Sequence, residues 1–350
     1  MDLAVRQRAI VVICYGLPTP WRHVLRHYTA AAKAHGGSQL LNPSATSKAS
    51  SDAFEPSYKA DEPRSIESKV RGVDPWPRRI WQTGSEAMRK RWKKQVQTWA
   101  NLNPGWEYGF LSDDGSSQYV DKHFSEHTTI HNFWRELNVT ILRADLIRYL
   151  AMLADGGVYS DMDTSCLKPI SDWIPPEFSE SAIGVVAGIE YDDNTYPMFA
   201  RPISICQWTL MARPGHAVFE KVVARVIYHL EYLARIKHVQ LSELKLNKKE
   251  VLDATGPGAF TDSIMEVISE HERRKVSWKE LSQLKQAKLF GDVLILPINA
   301  FAGNQKHSHS GKPEFGPKLV THHFGRSWYK VPGDMPKKTE PPRAKERRRV

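Results

Sequence analysis

Apolar positions first gather at Ile80 and Trp81, followed by Gln82 and Thr83 and introduced by the segment PWPRR. A block that short predicts a buried strand and not a helix. A polar helix is expected over 86–101, with Asn103-Pro104-Gly105 as its stop. Trp106, Tyr108 and Phe110 then take alternate positions, the period of a strand with one packed face. Strand, helix, strand is the opening of a layered α/β domain.

The next unit is more strongly patterned. Thr140 is placed to cap a helix through ILRADLIRYLAMLAD, in which Ile147, Leu150, Ala151 and Ala154 form an apolar stripe, and Gly156-Gly157 ends it. Asp145 and Arg148 share a side largely distinct from that stripe, so position alone makes them a solvated ion pair; Arg143 lies near the first turn. Further buried strands are expected at 183–189 and 292–296, and a long amphipathic helix over 216–238 that continues as the polar segment LSELKLNKKE. ATGPGAFTD reads as a glycine loop beside Thr255, Thr261 and Asp262, either a close backbone approach to sugar or phosphate or a tight connection.

Outside that core the pattern fades. Residues 36–74, rich in Ser, Ala, Pro, Lys and Glu, look like a linker, and residues 1–35 form a separate N-terminal segment. In that segment Arg6 and Arg8 precede nine mostly apolar residues, a remnant of a targeting sequence or a buried strand, and far short of a membrane anchor. The compact domain is expected over 75–330, leaving 331–350 as a basic, Pro-rich disordered tail.

Composition narrows the class. The 350 residues are 41% hydrophobic and 25% charged, enough to fill a sizeable core and too polar for a multipass membrane protein. The formal charge is +10, but seven basic and three acidic residues of it sit in the last 20 positions, so no nucleic-acid partner is expected. Cys14, Cys166 and Cys206 have no zinc-ligand spacing; a Cys166–Cys206 disulfide and idle thiols both remain open.

Candidate chemistry centres on Val158-Tyr159-Ser160-Asp161-Met162-Asp163. On an extended segment Asp161 and Asp163 point to one face, and two anions so close call for a hard divalent cation; the bland reading is an exposed acidic turn. His307, His309, His322 and His323 crowd the C-terminal part, where a histidine could face that pair.

At IWQTG, RADLIRYLAMLADGGVYSDMDTSCLKP, TGPGAFTD and HHFGRSW the chain resembles the DXD-containing glycosyltransferase family 32, that of the fungal initiation-specific α-1,6-mannosyltransferases, from about Trp76 to Trp328. The resemblance implies an α/β, GT-A fold: a Rossmann-like three-layer α/β/α nucleotide-sugar-binding domain. It implies that Asp161 and Asp163 hold Mn²⁺, or Mg²⁺, against the diphosphate of a GDP-mannose donor. Asp145 would hydrogen-bond the donor sugar as a further catalytic residue, with Arg143 nearby to neutralise phosphate. His323 or His322 would close the metal site, His323 being the expected ligand. The implied activity is retaining transfer of mannose to an oligosaccharide or glycoprotein acceptor, an N-glycan mannose in α-1,6 linkage. It takes place in the Golgi lumen or at the Golgi membrane, in type II orientation where an anchor exists, with possible membrane association or a mannosyltransferase complex. The Asn138-Val139-Thr140 sequon agrees with luminal residence.

Rival readings are a relative that mannosylates inositol-phosphorylceramide, a DxD phosphatase using Asp161 as nucleophile, and a non-catalytic glycan-binding protein. The Ser at 165 and the glycines before Val158 depart from the phosphatase pattern.

Overall fold

The computed structural model describes residues 76–193, 201–305 and 307–325. The N-terminal segment with Cys14, the linker and the basic tail lie outside the described residues, as does Trp328 of the last motif.

Strand β1 (Arg79–Thr83) forms where the apolar block predicts it. The polar helix expected over 86–101 is two: α1 (Glu86–Arg91), capped by the Ser85 hydroxyl, and α2 (Lys93–Leu102). Trp92 separates them with φ −99° and ψ 20°. Strand β2 (Glu107–Leu111) lies at the sheet edge, so Trp106, Tyr108 and Phe110 are half-buried and do not line a closed face. Helices α3 (Asp113–Phe124) and α4 (Thr128–Glu136) follow, the first capped by Ser112.

Helix α5 (Thr140–Ala154) has the bounds expected, but Val139 holds the cap position and Thr140 is already helical. Every residue from Asp145 to Leu153 is buried. The solvated ion pair is therefore overturned: a helix apolar on almost all sides is enclosed on all sides, and its two charges are enclosed with it.

Beyond it come β3 (Gly157–Ser160), β4 (Thr164–Cys166), β5 (Val185–Asp192), β6 (Ile203–Ile205) and β7 (Thr209–Ala212). Helix α6 (Ala217–Ile236) is the long amphipathic helix expected. The polar segment after it does not continue that helix; it leads into the separate α7 (Lys248–Ala254), started by an Asn247/Glu250 capping box. The expected glycine loop is instead the start of α8 (Pro257–His271), with Gly256 at its cap and Pro257 at its first position. Strands β8 (Lys288–Phe290) and β9 (Val293–Leu296), the short α9 (Asn299–Ala302) and β10 (Val320–His322) complete the order.

The main sheet runs β2-β1-β3-β7-β5-β9-β8, with β6 paired to β5. β1 is parallel to β2 and β3, and β5 to β9, while β7 is antiparallel to both β3 and β5. β1, β3, β5 and β9 thus share a direction, and their carboxyl ends share one rim. α5 packs on β1, β3 and α6, which in turn packs on α8. On another side Trp99 of α2 meets Trp173, and Trp173 meets Phe301 of α9. The result is a GT-A-like α/β fold with a mixed sheet, as the resemblance implies. Strands β4 and β10 form a second, two-stranded antiparallel sheet beside that rim.

Cys166 and Cys206 are free and buried. Burial pushes the Cys166 thiol up to about 11 and Cys206 well above its ordinary value.

Gly157 starts β3 at φ +91°, and a Cβ there would collide with the Arg79 carbonyl oxygen of β1. Gly105 is also left-handed, at φ +82°, with nothing within 4 Å of such a Cβ. Gly157→Ala is expected to destabilise the fold by about 3 kcal/mol, the sum of strained backbone and steric overlap, and Gly105→Ala by about 1 kcal/mol. Urea unfolding of the two variants beside the parent protein checks the difference.

Candidate active site

Strand β3 ends at Ser160, whose hydroxyl lies 2.8 Å from that of Thr164 and 2.7 Å from that of Thr209. The next residues do not stay extended. The Thr164 amide donates to the Asp161 carbonyl at 3.1 Å, closing a turn, and the Gln82 amide reaches the same carbonyl at 3.2 Å. Met162 plugs the turn inward at 2% exposure. The two carboxylates share a side because of this turn and not because of strand alternation.

Asp161 accepts the Tyr159 hydroxyl at 2.7 Å and lies 3.6 Å from the Arg148 guanidinium. Asp163 is held from the other direction. Its Oδ2 accepts the Gly325 amide at 2.7 Å, and its Oδ1 lies 3.1 Å from His322 Nε2. Burial alone would raise the Asp163 carboxyl, but His322 and the Gly325 amide together bring it below the usual carboxylate range. His322 arrives through the second sheet, where it pairs with Thr164 in the β4–β10 register. Its ring stacks on Trp208 at 4.4 Å and meets Phe324 at 4.2 Å. Its buried Nδ1 has no hydrogen-bond partner among the described residues.

One ligand atom from each of Asp161, Asp163 and His322 can be chosen so that all lie within 4.8 Å of one another. Two carboxylates and an imidazole suit a divalent cation such as Mn²⁺, and their convergence from two separate segments fits the donor set such an ion needs. His323, the expected ligand, lies elsewhere: its Nε2 is 2.8 Å from the Ser165 hydroxyl and its ring stacks 6.1 Å from Trp92. Only its backbone touches Asp163, donating to the carbonyl at 2.8 Å. His307 and His309 do not join either, being packed against Tyr191 and Phe315.

Behind Asp161 lies a closed polar network. Asp145 Oδ1 pairs with Arg148 at 3.0 Å, and Asp145 Oδ2 accepts the Thr255 hydroxyl at 2.6 Å. The Tyr149 hydroxyl, with one proton to give, lies 2.6 Å from the Gln207 side-chain oxygen and 2.9 Å from the Thr255 carbonyl, while the Gln207 side-chain amide reaches Asp145 at 3.4 Å. Burial pushes the Asp145 carboxyl up to about 6, against the pull of Arg148 and Thr255. Arg143 is not in this group. Its guanidinium donates to the Ser117 hydroxyl at 2.9 Å and covers the Trp134 ring at 4.4 Å. The arginine that reaches the D-x-D turn is Arg148, three residues from Asp145. The signal for it was a charged residue embedded in LIRYLAML, a helix with no polar face to carry it. Trp208 and Tyr159 carried no signal apart from their closeness to strands.

A paired D-x-D turn at the carboxyl rim of a mixed sheet, backed by a buried arginine and closed by a histidine, defines a sugar-transferase type of site. The family model described as "Glycosyltransferase sugar-binding region containing DXD motif" matches residues 89–179. The initiation-specific alpha-1,6-mannosyltransferase of Candida albicans is 30% identical over 281 residues, covering 73% of this chain and 72% of that protein. Its namesake in Schizosaccharomyces pombe is 34% identical over 259 residues, covering 72% of this chain and 63% of that protein. The chain thus spans less than two thirds of the S. pombe protein. On this similarity the chain belongs to glycosyltransferase family 32. Among solved structures, galactosyltransferase LgtC in complex with donor and acceptor sugar analogs superposes with a TM-score of 0.34 at 12% identity, over 71% of this chain and 87% of that one. Among the described residues no helix is long and apolar enough to cross a membrane.

Arg148→Leu leaves the Asp145 carboxylate enclosed without its counter-charge. The expected loss is about 3–5 kcal/mol of stability, the usual consequence of breaking a buried pair from one side. The double variant Arg148→Leu with Asp145→Leu should recover part of it, which thermal and urea unfolding of both proteins would reveal.

Proposed function

We propose that this chain transfers mannose from GDP-mannose to an N-glycan mannose in α-1,6 linkage, with a divalent cation and with retention at the anomeric carbon. The carrying observation is the convergence of Asp161, Asp163 and His322 in front of the buried Arg148. Two relatives that bear the name alpha-1,6-mannosyltransferase support the choice of sugar and linkage.

In this reading Asp161, Asp163 and His322 hold Mn²⁺ or Mg²⁺. An ion held by these three residues would supply positive charge to the departing diphosphate. Arg148 adds a fixed positive charge beside Asp161, pre-oriented by Asp145 so that it does not reorganise during the reaction. Asp145, enclosed with its Oδ2 on Thr255, acts on the donor through the arginine it orients and not by direct contact with the sugar. The bond between mannose C1 and the GDP β-phosphate oxygen breaks. The bond from C1 to the acceptor hydroxyl oxygen forms, and the hydroxyl proton leaves with the phosphate. Such an acceptor places the protein where N-glycans are exposed, the Golgi lumen of the resemblance.

Purified protein given GDP-mannose and a mannose oligosaccharide should release GDP and extend the glycan only with Mn²⁺ or Mg²⁺, losing turnover in EDTA and recovering it on re-addition. Linkage analysis of the product should show the α-1,6 bond. Mannosylation of inositol-phosphorylceramide instead would replace the acceptor, and donor binding without turnover would favour a glycan-binding protein. Asp163→Ala should lower turnover at least about 100-fold.

A separate experiment distinguishes the two histidines. His322→Ala is expected to weaken Mn²⁺ binding about 10- to 100-fold, while His323→Ala changes it less than about threefold. Calorimetric titration of Mn²⁺ into the folded variants is the measurement.

A further inference from the structure

Glu190 is buried to 9% exposure near the carboxyl end of β5, and none of the roles above uses it. Its Oε1 accepts the Trp208 indole N–H at 3.0 Å, while its Oε2 is buried with no hydrogen-bond partner among the described residues. An unmatched carboxylate oxygen in a protein interior is costly, and it persists where a ligand completes it. Three features direct it toward the active site. Trp208, the donor to its Oε1, stacks on His322 and accepts the Asp161 amide through its own carbonyl at 2.9 Å. Glu190 also sits where the pairing of β5 with β6 shifts register, between Ile189 and Tyr191, and a bulge of that kind turns a side chain out of the strand's alternation. Burial raises its carboxyl and so does the charge of Asp161, with Trp208, His322 and Arg148 pulling the other way, so the charges that act on it are those around the D-x-D turn.

Two residues further on, β5 leads to a cavity of about 620 Å³ whose lining includes Asp192, Trp278, Gln283, Gln305 and His307. The Asp192 carboxylate is set by the Ser282 hydroxyl at 2.7 Å and by the Gln283 amide. Gln305 ties the cavity wall to Glu190, its side-chain amide lying 3.4 Å from the Glu190 carbonyl. Amides, imidazoles, carboxylate oxygens and a half-buried indole make a lining of the chemistry that suits neutral polyhydroxylated rings.

We propose that the acceptor glycan enters along the carboxyl end of β5, its reacting mannose hydrogen-bonded by Glu190 Oε2 and its preceding sugar seated in the cavity beyond Asp192. This rests on the transferase reading for the role of the glycan, but its binding claim stands on these residues alone. Glu190 is then the junction between the metal crevice and the acceptor chain.

The test is binding of mannose and of an α-1,6-linked mannotriose to the full chain by ligand-observed NMR and calorimetry, beside Mn²⁺-GDP titrations. Glu190→Ala is expected to weaken both sugars by about tenfold or more, the loss of a buried hydrogen bond to a charged group. Glu190→Gln, which keeps an acceptor atom, should restore part of the affinity. Trp278→Ala should erase the advantage of mannotriose over mannose and leave mannose itself unchanged. In turnover the Glu190 variants should raise the acceptor KM with a smaller change in donor KM. Mannoside affinity unchanged in folded Glu190→Ala protein overturns the proposal, as does an equal loss of Mn²⁺-GDP affinity. Parent protein that binds Mn²⁺-GDP but no mannoside also overturns it, while failure to bind Mn²⁺-GDP with Glu190-dependent mannoside binding intact would defeat the transferase reading alone.

Discussion

A guanidinium removed from water must be surrounded by anions and acceptors, and Arg148 is only 5% exposed. Asp145 lies on its own helix, Asp161 on the turn after β3, and the Gln207 carbonyl ahead of β7 reaches it at 3.5 Å. One enclosed positive charge therefore fixes three segments of chain relative to each other. Its guanidinium also lies over the Tyr159 ring, whose hydroxyl in turn bonds Asp161. The D-x-D turn is thus braced from behind before any substrate arrives, which is the condition for electrostatic stabilisation without reorganisation.

The sheet supplies the placement. Because β1, β3, β5 and β9 run in one direction, Gln82, Asp161 and Glu190 collect toward one rim, where loops rather than strand interiors face outward. Trp208 immediately precedes the antiparallel β7 between β3 and β5, and that single ring touches both His322 and the carboxylate of Glu190. A purely parallel sheet would need a crossover to bring such a residue to the same place.

Much of this was legible in the chain itself. Strand β1, helix α5 and the long α6 follow directly from apolar spacing, and the D-x-D pair stands out beside a double glycine. The misreadings have physical causes. Asp145 and Arg148 look like a surface pair when only their three-residue spacing is weighed, and the apolar residues on every side of them, Leu142, Leu146, Met152 and Leu153 among these, are the signal that overrules it. ATGPGAFTD looks like a loop because glycine and proline signal turns, whereas here they start a buried helix directly after Thr255, the residue that ends α7 and bonds Asp145. Arg143 and Arg148 differ in the sequence by little more than one turn, yet α3 and α4 capture the first and the active site the second. The choice between His322 and His323 turns on the β4–β10 register, and adjacent residues in a strand point to opposite faces.

That two-stranded register has a further consequence. Asp163 and His322 stand 159 positions apart in sequence, and a cation shared between them would act as a clasp across nearly half the chain. Closing so long a loop carries an entropic penalty that the second sheet and the ion would offset together. Completion of the catalytic centre and docking of the last strand are then the same event. A nascent or clipped polypeptide that ends before β10 would have its sheet and its D-x-D turn and still lack His322, one of the three candidate cation ligands, so competence to hold an ion would arrive last.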